Sequence, residues 1–132
     1  MKQYPVEVWM ALSETFSGKE QFHQWLLQNG YPELAAFSSS VRGSQEAFDW
    51  LMQHSFFHLA ALDGAIDNQP QPIQWLQTHG FVAFFHLAAA VNLQPASLLW
   101  LENNQLDIFI HLANRIRGYR ENQTFDYHKK NF

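Results

Sequence analysis

The chain has 132 residues, none of them cysteine, with 47% hydrophobic and 15% charged residues and a net charge of −4. That length supports one domain with a sizeable core, the composition excludes a disordered chain, and the missing thiols exclude disulfides and thiolate metal sites. Residues 1–112 carry three basic against ten acidic residues, while 113–132 carry five against two, so a basic stripe for nucleic acid exists at most in the tail.

The opening stretch, "MKQYPVEVWMALSETF", lacks the unbroken apolar segment of a secretory signal. The most apolar run, "FVAFFHLAAAV", falls short of the ~20 residues that span a bilayer. A cytoplasmic protein with no membrane attachment is expected.

From residue 19 the chain repeats itself. Trp25, Trp50, Trp75 and Trp100 stand 25 residues apart, and each is followed by a leucine: Leu26, Leu51, Leu76 and Leu101. Four positions after each Trp come Asn29, His54, His79 and Asn104; six after come Tyr31, Phe56, Phe81 and Leu106. Nine after are Leu34, Leu59, Phe84 and Phe109, and twelve after are Phe37, Leu62, Leu87 and Leu112. Such self-similarity decides the architecture before any local reading does. The units are 19–43, 44–68, 69–93 and 94–118. Residues 1–18 fit the second half of a unit, with Trp9, Leu12, Phe16 and Gly18 in register. Residues 119–132 form a degenerate C-terminal cap, because Phe125 falls on the Trp position and Asp126 on the Leu position.

Each unit reads as two helices. Around Trp, apolar positions share one face at ~100° per residue and the opposite face is rich in glutamine, an amphipathic pattern. Ser44 is a predicted N-cap, and Ser17 with Glu20 has capping-box spacing. Pro70, Pro72 and Pro95 suit a first helical turn. Asn-Gly, His-Ser and His-Gly then predict a stop, with His54 and His79 acting as caps. The second helix is predicted over the next three turns, with Gly43 and Gly118 ending it in two units and Asn68 and Leu93 holding that place in the others. The fold class is therefore all-α: an α-solenoid of stacked two-helix hairpins. Each Trp is predicted to wedge between units, with truncation of Trp50 or Trp75 costing more than that of Trp25.

The pattern resembles the short-repeat α-solenoids, of the same kind as the HEAT, armadillo and leucine-rich-variant arrays, at the level of architecture and over nearly the whole chain. The resemblance implies partner binding and supplies no catalytic residues. It does not extend to the ankyrin or tetratricopeptide signatures, whose units are longer.

Function is expected to lie on a surface. On the face of the second helix, Pro32, Phe57, Val82 and Asp107 occupy one column, Ala36, Ala61, His86 and His111 the next, and Ser39, Gly64, Ala89 and Asn114 a third. These are mostly small or apolar, and small residues predict a concave side. The candidate is a groove for a protein or peptide, anchored by Phe57 and Val82 with His86 and His111 at its edge, in a monomer or weak homodimer. Competing readings use His86 with His111, and the tail "FDYHKKNF", for metal-dependent or catalytic chemistry, or Arg115, Arg117, Arg120, Lys129 and Lys130 for nucleic acid. No hydrolase, phosphate-loop or dinucleotide motif is present, so no enzyme, cofactor or metal is expected. Asp63 stands out as a carboxylate on a buried face. Leu93 and Leu99 stand out as apolar residues that the tail is expected to cover.

Overall fold

The computed structural model describes residues 4–130, with the side chains of 124–130 left aside. Nine α-helices are present among the described residues, and no strand. They are α1 (Val6–Glu14), α2 (Glu20–Gln28), α3 (Pro32–Val41), α4 (Gln45–Gln53), α5 (Phe57–Ile66), α6 (Pro70–Thr78), α7 (Val82–Val91), α8 (Pro95–Asn103) and α9 (Asp107–Lys130). A 3-10 turn, Thr15–Ser17, follows α1. No helix among the described residues is long and apolar enough to cross a membrane.

Local chemistry sets the boundaries. The Ser44 hydroxyl accepts the Ala47 amide at 3.1 Å and starts α4, while Pro32, Pro70 and Pro95 open α3, α6 and α8, where the missing N–H has no bond to lose. The predicted capping box at Ser17 does not form. Ser17 belongs to the 3-10 turn, and its hydroxyl donates to the Glu14 carbonyl at 2.7 Å. Helices from α1 to α8 end on a residue with positive φ: Gly18, Gly30, Gly43, Ser55, Asn68, Gly80, Leu93 and Gln105. The next amide then returns to a carbonyl five residues back, as from Tyr31 to Leu26 (2.9 Å) and Phe56 to Leu51 (2.8 Å), satisfying the helix end.

The residue four after each Trp has one job. Asn29 and Asn104 donate Nδ2 to the Trp25 and Trp100 carbonyls at 2.8 Å. His54 and His79 place Nδ1 at 2.9 Å from the Trp50 and Trp75 carbonyls. A carbonyl only accepts, so Nδ1 carries the proton in both histidines. Each imidazole also stacks on its own Trp, at 4.0 and 4.1 Å.

Leu93 is one of four non-glycine residues at the left-handed positions, with Ser55, Asn68 and Gln105, where Cβ crowds the residue's own carbonyl oxygen. It is 57% exposed, as is Leu99. Phe125, Tyr127 and Phe132, the tail residues expected to cover them, lie outside the residues whose side chains are described. Leu93→Gly should stabilise the fold by about 0.5–1 kcal/mol net, the relief of strain exceeding the added freedom of the unfolded chain. A higher melting midpoint in thermal denaturation checks this, and a lower one would show that Leu93 makes a contact worth more than its strain.

Short turns make successive helices antiparallel, so α1, α3, α5, α7 and α9 run the same way. Each packs on the next, and α9 also packs on α1. The five inner helices thus close into a ring, with α2, α4, α6 and α8 outside it. The interior is layered. Trp9, Leu34, Leu59, Phe84 and Phe109 form one layer, and Leu12, Phe37, Leu62, Leu87 and Leu112 the next; all ten are buried. Trp9 joins the ends of the chain, its ring 4.9 Å from Phe109 and 6.3 Å from Phe84 by centroid.

Gly118, predicted as a stop, lies inside α9, which continues to Lys130. Residues on either side of it find partners under the ring, where the C-terminal ends of parallel helices gather negative partial charge. Arg117 donates to the Ala90 carbonyl at 3.2 Å, Arg120 to Ile66 at 3.0 Å and to the Asp67 carboxylate, and the Tyr119 hydroxyl to Arg42 at 3.3 Å. Arg115 pairs with Glu14 at 3.2 Å.

Candidate functional site: grooves between the outer helices

The inward faces of the inner helices meet each other inside the ring, and the columns with Phe57 and Ala61 point outward, toward the following outer helix. Two grooves lie there, one unit apart. The first, of about 430 Å³, is lined by Leu27, Pro32, Ala36, Glu46 and Trp50 among others. The second, of about 320 Å³, is lined by Phe48, Met52, Phe57, Ala61 and Trp75 among others. Each thus lies between one unit and the Trp of the next.

Pro72 also borders the second groove, and it packs tightly on the inner helix beneath. A Cβ on Gly64 would stand 2.5 Å from the Pro72 ring. Glycine here lets α6 approach α5, which holds Trp75 over Ala61.

The four predicted site residues separate. Phe57 lines the second groove and is 44% exposed. Val82, in the same column, is 47% exposed and lines neither groove. His86 occupies the place that Ala36 and Ala61 leave open: its ring stacks on Trp100 at 4.2 Å, and Nδ1 lies 2.8 Å from the Ser97 hydroxyl. Its ring lies on Trp100, whereas Ala36 and Ala61 line grooves with Trp50 and Trp75. Burial holds its pKa below the ordinary imidazole value. His111 faces Glu14 at 3.8 Å, on the seam between α9 and α1. The two histidines therefore serve different seams and do not converge on one point. Among the described residues, no group of three His, Cys, Asp or Glu is placed to hold a metal ion. The side chains of the tail cluster, Asp126 to Lys130, lie outside the described residues.

Two polar clusters flank the ring. At its N-terminal end, the Tyr4 hydroxyl donates to Glu33 Oε2 at 2.7 Å, and both residues are buried. Burial, then the Glu33 carboxylate, drives the phenol far above its usual range. His58 lies nearby, stacked on Phe81 and Phe84 at 5.5 and 6.1 Å, its pKa lowered by burial. The sequence held no sign of this cluster, because Tyr4, Glu33 and His58 share no motif and come together only when α1 meets α3.

On the other side, Asp63 borders a polar cavity of about 300 Å³ with Ser40, Gln45, Asp67 and Gln69. It is 9% exposed and accepts the Ser40 hydroxyl. Burial raises its pKa, against the opposing Ser40 bond. Between the unfolded value near 3.8 and the higher folded one, the native chain keeps a proton that the unfolded chain releases. Stability from this residue therefore falls as pH rises through that window. Asp63→Asn keeps an acceptor for Ser40 and removes the titration. Its melting midpoint should exceed that of the wild type at pH 7, and the gap should narrow at pH 4. A constant gap across that range would contradict the assignment.

No family model, curated protein or solved structure matches this chain.

Proposed function

We propose that the chain is a 25-residue helical repeat array that binds a peptide segment of another protein, with no chemistry of its own, through the two open grooves on its outer surface. The observation that carries this is the change within one column. Where the residue is alanine, at 36 and 61, a groove stands open beside a Trp; where it is histidine, at 86, an imidazole lies on the Trp. Exposed Leu27, Met52 and Phe57 around the openings support the reading, since contiguous exposed apolar surface marks interaction sites. Half-buried Trp50 and Trp75 supply rigid aromatic walls, the side-chain type that dominates binding energy.

The protein supplies its own blocking design. Ala36→His with Ala47→Ser copies the His86–Ser97 pair beneath Trp50, and Ala61→His fills the second groove. A random twelve-residue peptide display library would be panned on the wild type and on this plugged triple variant. Peptides should enrich on the wild type alone, with both proteins equally helical by circular dichroism. Equal enrichment on both, or none on either, would sink the proposal.

A further inference from the structure

Corresponding positions in the two grooves differ in one direction. The second groove has Phe48, Phe57 and Gln71 where the first has His23, Pro32 and Glu46. The first is the larger by about 430 to 320 Å³ and exchanges aromatic bulk for a carboxylate. The outer helices that flank it, α2 and α4, carry Glu20, Glu46 and Asp49, all exposed, and no lysine or arginine. Lys19 only precedes α2, and Arg42 is engaged with the Ser38 carbonyl at 3.3 Å. The Trp50 ring lines the groove, and the corresponding Trp100 shows what such a ring accepts, a planar nitrogen-bearing side chain, that of His86, in stacked contact.

We infer that the first groove takes an arginine or lysine side chain of the bound peptide and the second a large apolar one. This rests on the peptide-binding reading and adds a specificity to it. The methylene stem of the cation lies along Leu27, Pro32 and Ala36, its charge meets Glu46, and the Trp50 face adds a cation–π contact. The outer helices α2, α4 and α6 make no extensive contact with one another, so neighbouring grooves stand at least one helix diameter of ~10 Å apart. An extended chain advancing ~3.3 Å per residue places the two anchors at least about three residues apart.

The test sequences the peptides that enrich on the wild type but not on the plugged variant. They should carry Arg or Lys and a large apolar residue at least that far apart. A second panning on Glu46→Lys, an exposed substitution, should lose the cation from the consensus and keep the apolar anchor. For one enriched peptide, Glu46→Gln should weaken binding about tenfold, the scale of a lost charge-assisted hydrogen bond. The same peptide with its cation replaced by norleucine should then show no further dependence on Glu46. Enriched peptides with two apolar anchors and no cation, or a consensus unchanged by Glu46→Lys, would overturn this inference and leave the peptide-binding reading standing. No enrichment over the plugged variant would overturn both.

Discussion

Trp9→Ala is expected to be among the most damaging single substitutions in the chain, at about 3–5 kcal/mol. The ring is 7% exposed, and it meets Tyr4 at 5.2 Å as well as Phe84 and Phe109. Truncation leaves a cavity in the layer where the first and last inner helices join. Helices α3 to α8 each have a neighbour on both sides through short turns, but α1 and α9 are joined only by packing across the whole sequence. Domain stability is typically ~5–15 kcal/mol, so the loss is a large part of the total. Urea denaturation followed by circular dichroism would measure it, with Met10→Ala as a control on the same helix. Met10 is exposed and should lose well under half as much. Equal losses would mean that closure of the ring contributes little.

The second large effect reverses an expectation from the sequence. The Trp of each Trp-Leu pair appeared to be the wedge between units. In the structure Leu26, Leu51, Leu76 and Leu101 are fully buried, while the four Trp residues are half-buried, Trp50 and Trp75 as groove walls. Leu76→Ala should therefore cost about 2–5 kcal/mol, the range for a fully buried leucine. Trp75→Ala removes more atoms, but part of that ring already meets water, and it should cost less than Leu76→Ala. Peptide binding should respond the other way, failing in Trp75→Ala at temperatures where both variants remain folded. A larger loss of melting midpoint for Trp75→Ala than for Leu76→Ala would restore the wedge.

Helix existence and boundaries were legible because their causes are local. Proline at a first turn and glycine or asparagine at a left-handed end act within a few residues, and the 25-residue spacing placed each pair. Two local signals misled. Ser17 and Glu20 have capping-box spacing, but Ser17 is taken up by the end of the preceding helix. Gly118 sits in the stop position, yet Tyr119 and Arg120 gain partners by continuing the helix. Ring closure was not legible, because it depends on how far each hairpin rotates relative to the last. That one unknown also sets which way the candidate surface faces. The column with Ala36, Ala61 and His86 was legible as a unit, as was its change from small to large, but an open stack puts it on a concave side and a closed ring puts it outside. The arginines of α9 looked like a free basic tail for the same reason, since the helix ends they bind come together only under the ring.

Closure of α9 onto α1 also makes the number of units indivisible. An open array tolerates one module more or fewer, because each added hairpin sees the same neighbours. Here a deleted unit such as 69–93 would leave four inner helices to enclose layers cut for five, and an inserted one would open a hole down the axis. A chain with one hairpin more or fewer would therefore have to rebuild its interior, whereas a change on the outer faces leaves the packed layers as they are.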